Sequence, residues 1–209
     1  MKRASGRFAF GVAALFLGLA AATGATFARQ LREREIRPAF DFKRIQMPVE
    51  VVSLKLNGRE VRPGEKVRGD DDWLQGVAFT LKNISEKPIA YVEVGLQFPQ
   101  PRGFVAYTLN YGVDLSRGEH RRESSPPAVA PGETAELTLT KEKYPGFRRI
   151  LDLGGANGSF DTASYYVGRV CFEGEPDIIW SAGTLKRRDT NRPTEFKTVE
   201  QYTSPPRRN

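Results

Sequence analysis

Between Val77 and Phe98 the chain repeats one short pattern, apolar residues at every second position, on both sides of a polar break. Val77, Phe79 and Leu81 share a face with Trp73, while Ala78, Thr80 and Lys82 take the other. After Asn83-Ile84-Ser85 the alternation resumes, with Ala90, Val92, Val94, Leu96 and Phe98 set against Tyr91, Glu93, Gly95 and Gln97. A period of two belongs to a β-strand with one face in a core, because successive side chains of a strand point to opposite faces. The spacing therefore predicts two strands, and the short polar break predicts that they form a hairpin.

The rest of the chain from Pro48 follows the same grammar. A strand is expected over Val49–Leu56, closed by Asn57-Gly58, a dipeptide that accepts the positive φ of a two-residue turn. Another follows Pro63-Gly64-Glu65, then Phe104–Val113, then Ala135, Leu137 and Leu139 behind a second Pro-Gly-Glu at 131–133. Two last strands are expected at Tyr165–Glu173 and Ile178–Leu185, with Trp73 and Trp180 in the core. The one internal helix expected is Tyr144–Leu153, ended by Gly154-Gly155. Seven or eight short strands without βαβ alternation predict an all-β chain built as an antiparallel β-sandwich over residues 48–188.

The stretches VAFTLKNISEKPIAYVEVGLQF, VAPGETAELTLT and YYVGRVCFEG with IIWSAGTLKRRD resemble the B–C hairpin, E strand and F–G hairpin of immunoglobulin-like or fibronectin-type sandwiches. The resemblance implies a scaffold for interaction of the kind found in exported bacterial proteins, and it brings no catalytic residues with it. The Cys…Trp…Cys hallmark of antibody domains is absent, because the chain has a single cysteine, Cys171.

Ahead of the sandwich, Lys2, Arg3 and Arg7 precede 21 uncharged residues, Phe8–Ala28, whose latter half turns small. This is the pattern of a secretory signal, with small residues suited to cleavage after Ala22, Ala25 or Ala28. At about 1.5 Å rise per residue the same run nearly spans a bilayer core, so residues 1–28 are a signal peptide or a membrane anchor. A cytoplasm-facing arrangement is the least favoured, although residues 29–44 carry six basic residues against three acidic ones. Residues 29–47 read as a charged spacer in which RQLREREIR forms a short helix through Arg29/Glu33 and Glu33/Arg37 pairs, stopped by Pro38. Residues 189–209, with low hydrophobicity and no period, read as a disordered tail.

A formal net charge of +7 invites a nucleic-acid reading, but the charge sits at the ends. Residues 45–185 hold 16 basic and 19 acidic residues, and a mildly acidic domain has no footprint for phosphate. With one Cys and one His, zinc-ribbon and disulfide-scaffold classes are excluded.

Chemistry-bearing residues are few. Cys171, His120 and the pair Arg187/Arg188 resemble the Cys, His and Arg set of sortase transpeptidases, yet the TLxTC signature is replaced by VGRV before the cysteine. An inert strand cysteine is the preferred reading. Asp70-Asp71-Asp72 supplies three carboxylates that would suit Ca²⁺ only with further ligands, and a solvated turn is preferred. The Gly-rich stretch from Asp152 to Asp161 matches neither an EF-hand nor a phosphate loop. Asn83-Ile84-Ser85 and Asn157-Gly158-Ser159 match the glycosylation acceptor. Among the aromatics, Tyr107 and Tyr111 are the candidate ligand-binding residues, and neither a catalytic residue nor a metal ligand or cofactor is assigned. The expected function is a non-catalytic, extracytoplasmic module that binds a protein or glycan at the cell envelope and no nucleic acid. The alternatives are a Cys-dependent envelope transpeptidase and a structural or secretion accessory acting through strand edges.

Overall fold

The computed structural model describes residues 31–41, 45–100, 103–154 and 160–201. The expected signal or anchor at 1–28 lies outside these residues, as does Asn157. Among the described residues no helix is long and apolar enough to cross a membrane.

The described residues form twelve strands and one α-helix. In chain order these are β1 (Arg32–Pro38), β2 (Val49–Leu56), β3 (Arg59–Glu60), β4 (Lys66–Gly69), β5 (Ala78–Asn83), β6 (Ile89–Gln100), β7 (Gly103–Gly112), β8 (Thr134–Thr138), α1 (Tyr144–Leu153), β9 (Thr162–Phe172), β10 (Ile178–Ser181), β11 (Thr184–Asp189) and β12 (Arg192–Gln201). The chain is all-β, as the alternation predicts, with α1 at the expected bounds. The smaller sheet runs β3-β2-β5-β8. In the larger, β9 pairs with β6 along one side, and along the other with β1 at its start and β10 at its end; β7, β4, β11 and β12 extend it outward. All pairings are antiparallel except β1 with β9.

Apolar residues of both sheets meet in one cluster, including Phe79 and Leu81 of β5, Val94, Leu96 and Phe98 of β6, and Tyr165 and Val170 of β9. Trp73 and Trp180 are both buried in it. Burial of this kind supplies about 25 cal/mol per Å² of apolar surface and is the main term holding the layers together.

The hairpin expected between β5 and β6 does not form, because the two strands belong to different sheets. The alternation is as read, but the break at Asn83 is a crossing between layers. Asn83 is 1% exposed and donates through Nδ2 to the carbonyls of Lys87 (2.9 Å) and Val129 (2.8 Å), while its Oδ1 accepts from Ser85. An amide committed in this way steers the chain across the core and is closed to glycosylation. The true hairpin is β6–β7, with ten residue pairs from Tyr91↔Gly112 to Gln100↔Gly103. The span Ile178–Leu185, expected as one strand, is broken by a turn at Ala182-Gly183 with φ of 51° and 85° into β10 and β11.

Two further corrections concern the charged ends. The short helix expected in RQLREREIR is strand β1, paired with β4 and β9. Helical i,i+4 ion pairs are worth only about 0.2–0.5 kcal/mol each, and a helix this short is marginal in water. The strand instead buries Ile36 completely and places Arg34, 1% exposed, where four acceptors converge. Arg34 donates to the carbonyls of Gly69 (3.3 Å) and Phe160 (2.7 Å), and to the carboxylates of Asp71 (2.9 Å) and Asp161. The tail expected to be disordered from 189 is β12 as far as Gln201, paired with β11 from Asp189↔Arg192 to Thr184↔Gln201. Its Pro193 is tolerated because β12 is the last strand of the sheet, with no second neighbour among the described residues to receive an N–H.

Candidate interaction face

The side of the larger sheet turned away from the core is divided in two. Directly opposed residues of antiparallel strands share a face, so Tyr91, Glu93, Gly95 and Gln97 of β6 stand beside Cys171, Tyr166 and Ser164 of β9 and Asn110, Thr108 and Ala106 of β7.

One half is closed. Beyond the end of β7, Asp114 opens a 3-10 turn at Leu115–Arg117 and reaches back over β9, buried at 2% exposure. Its Oδ1 accepts from the Ser116 hydroxyl and from the Cys171 thiol, whose Sγ lies at 3.3 Å. Its Oδ2 pairs with Arg169 Nη2 at 2.9 Å and Arg117 Nε at 3.2 Å. Arg169 also pairs with Glu93 at 3.4 Å and lies over the Tyr91 ring, whose hydroxyl donates to the same Glu93 oxygen at 3.2 Å. Phe196 of β12 packs on Tyr91, Cys171 and Ile179 from the other side. Arg188 pins that hairpin down: it donates to Asp177 (2.8 Å) and to the carbonyls of Pro193 (2.6 Å) and Ser116, and its guanidinium lies over the Phe196 ring.

This setting decides the chemistry of Cys171. Burial above all, reinforced by the adjacent Asp114 charge, pushes the thiol up to about 12. A nucleophile needs the thiolate, which a cationic or helix-terminal neighbour favours and a carboxylate disfavours. The polar groups around the thiol are Asp114, Ser116 and Arg169, whereas His120 is exposed in the following loop. Arg188 is committed to the C-terminal hairpin and Arg187 stands exposed. The structure therefore does not bring Cys171, His120 and Arg187/Arg188 together as a catalytic set.

The Asp70-Asp71-Asp72 turn is likewise occupied. Asp71 pairs with Arg34, Asp72 accepts from the Tyr144 hydroxyl at 3.0 Å, and Asp70 Oδ1 accepts from the Asp72 amide at 2.9 Å. A buried guanidinium already answers the charge a cation would answer. No group of three metal-ligating side chains occurs among the described residues.

The other half of the face is open. One row runs Thr108–Gly95–Tyr166 and the next Ala106–Gln97–Ser164–Arg37. Gly95 lets the Tyr166 ring lie flat across β6: a Cβ there would stand 2.3 Å from the ring carbons. Phe40, 52% exposed, meets Tyr166 edge-on with centroids 6.3 Å apart. The result is a floor of small neutral residues and amides beside an aromatic pair, bordered by Arg37.

The expected ligand-binding pair lies on the opposite side of β7. Tyr107 packs edge-on against Phe147 at 5.1 Å, and both Tyr107 and Tyr111 rest partly buried on the main core, with the Tyr111 hydroxyl donating to Pro127 O at 3.1 Å. Strand parity separates them from Thr108 and Ala106. The outward parity of Gly95 and Gln97 is legible from the alternation, but Phe40 falls in the expected spacer, and nothing local marks it as a partner of Tyr166.

No protein-family model, no curated protein and no solved structure matches the chain.

Proposed function

We propose that the chain is a non-catalytic interaction module of immunoglobulin-like sandwich architecture, acting outside the cytoplasm at the cell envelope. It binds a protein or glycan through the open half of the larger sheet. The single observation that carries this reading is the row Thr108–Gly95–Tyr166 with Phe40 at its end, a flat floor left uncovered among the described residues on a face they otherwise fill. Aromatic faces beside amide and hydroxyl groups suit ligands that offer both apolar and hydrogen-bonding surface. The sandwich reading draws on the crossing at Asn83, which sends β5 and β6 to different sheets, and the compartment draws on the sequence of residues 1–28.

The test is a photo-reactive residue at Thr108, with one at Thr80 on the outer side of the smaller sheet as comparison, in intact cells of the native host. Adducts are expected from position 108 and none from 80. Equal yields, or none from either, would remove the reading.

A strand-edge accessory role has one observation in its favour: β7 runs ten residues and, among the described residues, pairs with β6 alone. That role depends on main-chain hydrogen bonds. Proline at an outward-facing amide of β7 would then abolish the adduct while Tyr166→Ala would spare it, the reverse of the outcome expected here.

A further inference from the structure

Seven large apolar side chains are well exposed among the described residues, and four of them, Leu31, Phe104, Ile150 and Leu153, gather at one end of the domain. The strand registers establish this. Glu35 of β1 pairs with Thr162 at the start of β9, so Leu31 projects beyond the sheet at that end. Gln97 pairs with Ser164, and Pro99 with Phe104, which sets Phe104 in the row of Thr162. The last turn of α1 lies there too, since a Cβ on Gly154 would stand 2.1 Å from the Val105 side chain. Ile150 and Leu153 are three apart on the helix, so both project from its outer side while Phe147 and Leu151 face the core. Leu153 is 79% exposed and Phe104 62%; it is their grouping with Leu31 and Ile150, rather than the exposure of any one of them, that marks a contact surface.

The described chain begins at this end, where Arg32 opens β1, and in the sequence Ala28, the last residue of the apolar run, precedes Arg32 by four positions. We infer that this end of the domain is a lipid-contacting face, with Leu31, Phe104, Ile150 and Leu153 entering the interfacial layer of the bilayer. The inference rests on the reading of residues 1–28 as membrane-directed, and it adds which surface meets the lipid. Apolar side chains at that depth strengthen surface association in proportion to the area they bury, and the exposed Arg149 beside them suits lipid phosphate.

The test uses the full chain reconstituted into vesicles of three parts phosphatidylcholine to one part phosphatidylglycerol. Leu153→Cys, Phe104→Cys and, as a distant position, Val199→Cys are each labelled with an environment-sensitive dye. The wild-type chain serves as blank, because Cys171 is fully buried. Spin-labelled lipid is expected to quench the dye at 153 and 104 at least threefold more than at 199. All three positions are exposed, so the substitutions leave the core intact. A chain that floats with the vesicles while all three dyes remain equally unquenched overturns the inference alone. A chain that does not float overturns the membrane reading and the inference with it.

Discussion

The closed and open halves of the larger sheet's outer face are made from the same strands, β6 and β9, with one parity along β6 and a register shift opposite Val92/Val94 that changes the outward parity of β9 from Cys171 to Tyr166, and they differ in what the later sequence lays upon them. Over Tyr91 and Cys171 the chain places a buried carboxylate, two arginines and Phe196; over Gly95 and Ser164 the described residues place the Tyr166 ring. Polar groups are buried in the closed half, and most are answered by a partner, as burial demands; among the described residues Arg169 Nε is buried there without a hydrogen-bond acceptor. In the open half the side chains are small and neutral, so leaving them in water carries little penalty. The closed half contributes to stability, and the open half is free to serve another purpose.

The largest test of this contrast is Asp114→Ala. It strands Arg169, Ser116 and the Cys171 thiol beneath the hairpin, and breaking a buried pair in this way costs about 3–5 kcal/mol. Urea unfolding should show it, and a loss below about 1 kcal/mol would mean the node is not structural. A pH series comes next. Free in the unfolded chain, Cys171 and Tyr91 release protons near 9 and 10; burial holds both up to about 12 in the native state. The native state therefore binds more protons above pH 9, and stability should fall as pH rises, by as much as about 1.4 kcal/mol per pH unit for each group. Cys171→Ala should flatten that slope between pH 9 and 11. A smaller effect is expected from Arg188→Ala, about 1–2 kcal/mol, with faster amide exchange confined to β11 and β12. Smallest of all should be Tyr166→Ala, under about 1 kcal/mol by thermal unfolding, because the ring is half-buried and leans on Phe40 and the floor at Gly95 rather than on the core.

What the sequence made legible follows from the reach of its signals. Alternation revealed β2 and the inward residues of β5 and β6, because side-chain period reports local geometry, and the Gly154-Gly155 stop bounded α1. It did not reveal partners: the same alternation serves a hairpin or a crossing, and only the buried hydrogen bonds of Asn83 distinguish them. Strand β1 was hidden because Arg34 occupies a core position that charge makes look solvated, and its acceptors lie 35 to 127 residues away. Strand β12 was hidden because one ring, Phe196, under one guanidinium, Arg188, is too little apolar content to register as a period. The open face escaped for the same reason, since Phe40 and Tyr166 meet only once β1 is placed beside β9.

The most direct test of the two-halves account is the Thr108 photo-crosslink yield in native cells, measured in Tyr166→Ala and Arg188→Ala chains alongside their unfolding midpoints. The account predicts that Tyr166→Ala removes the adduct while its midpoint stays near wild type, and that Arg188→Ala lowers the midpoint while the adduct remains. An adduct that survives Tyr166→Ala, or that falls in step with stability in both variants, would contradict it.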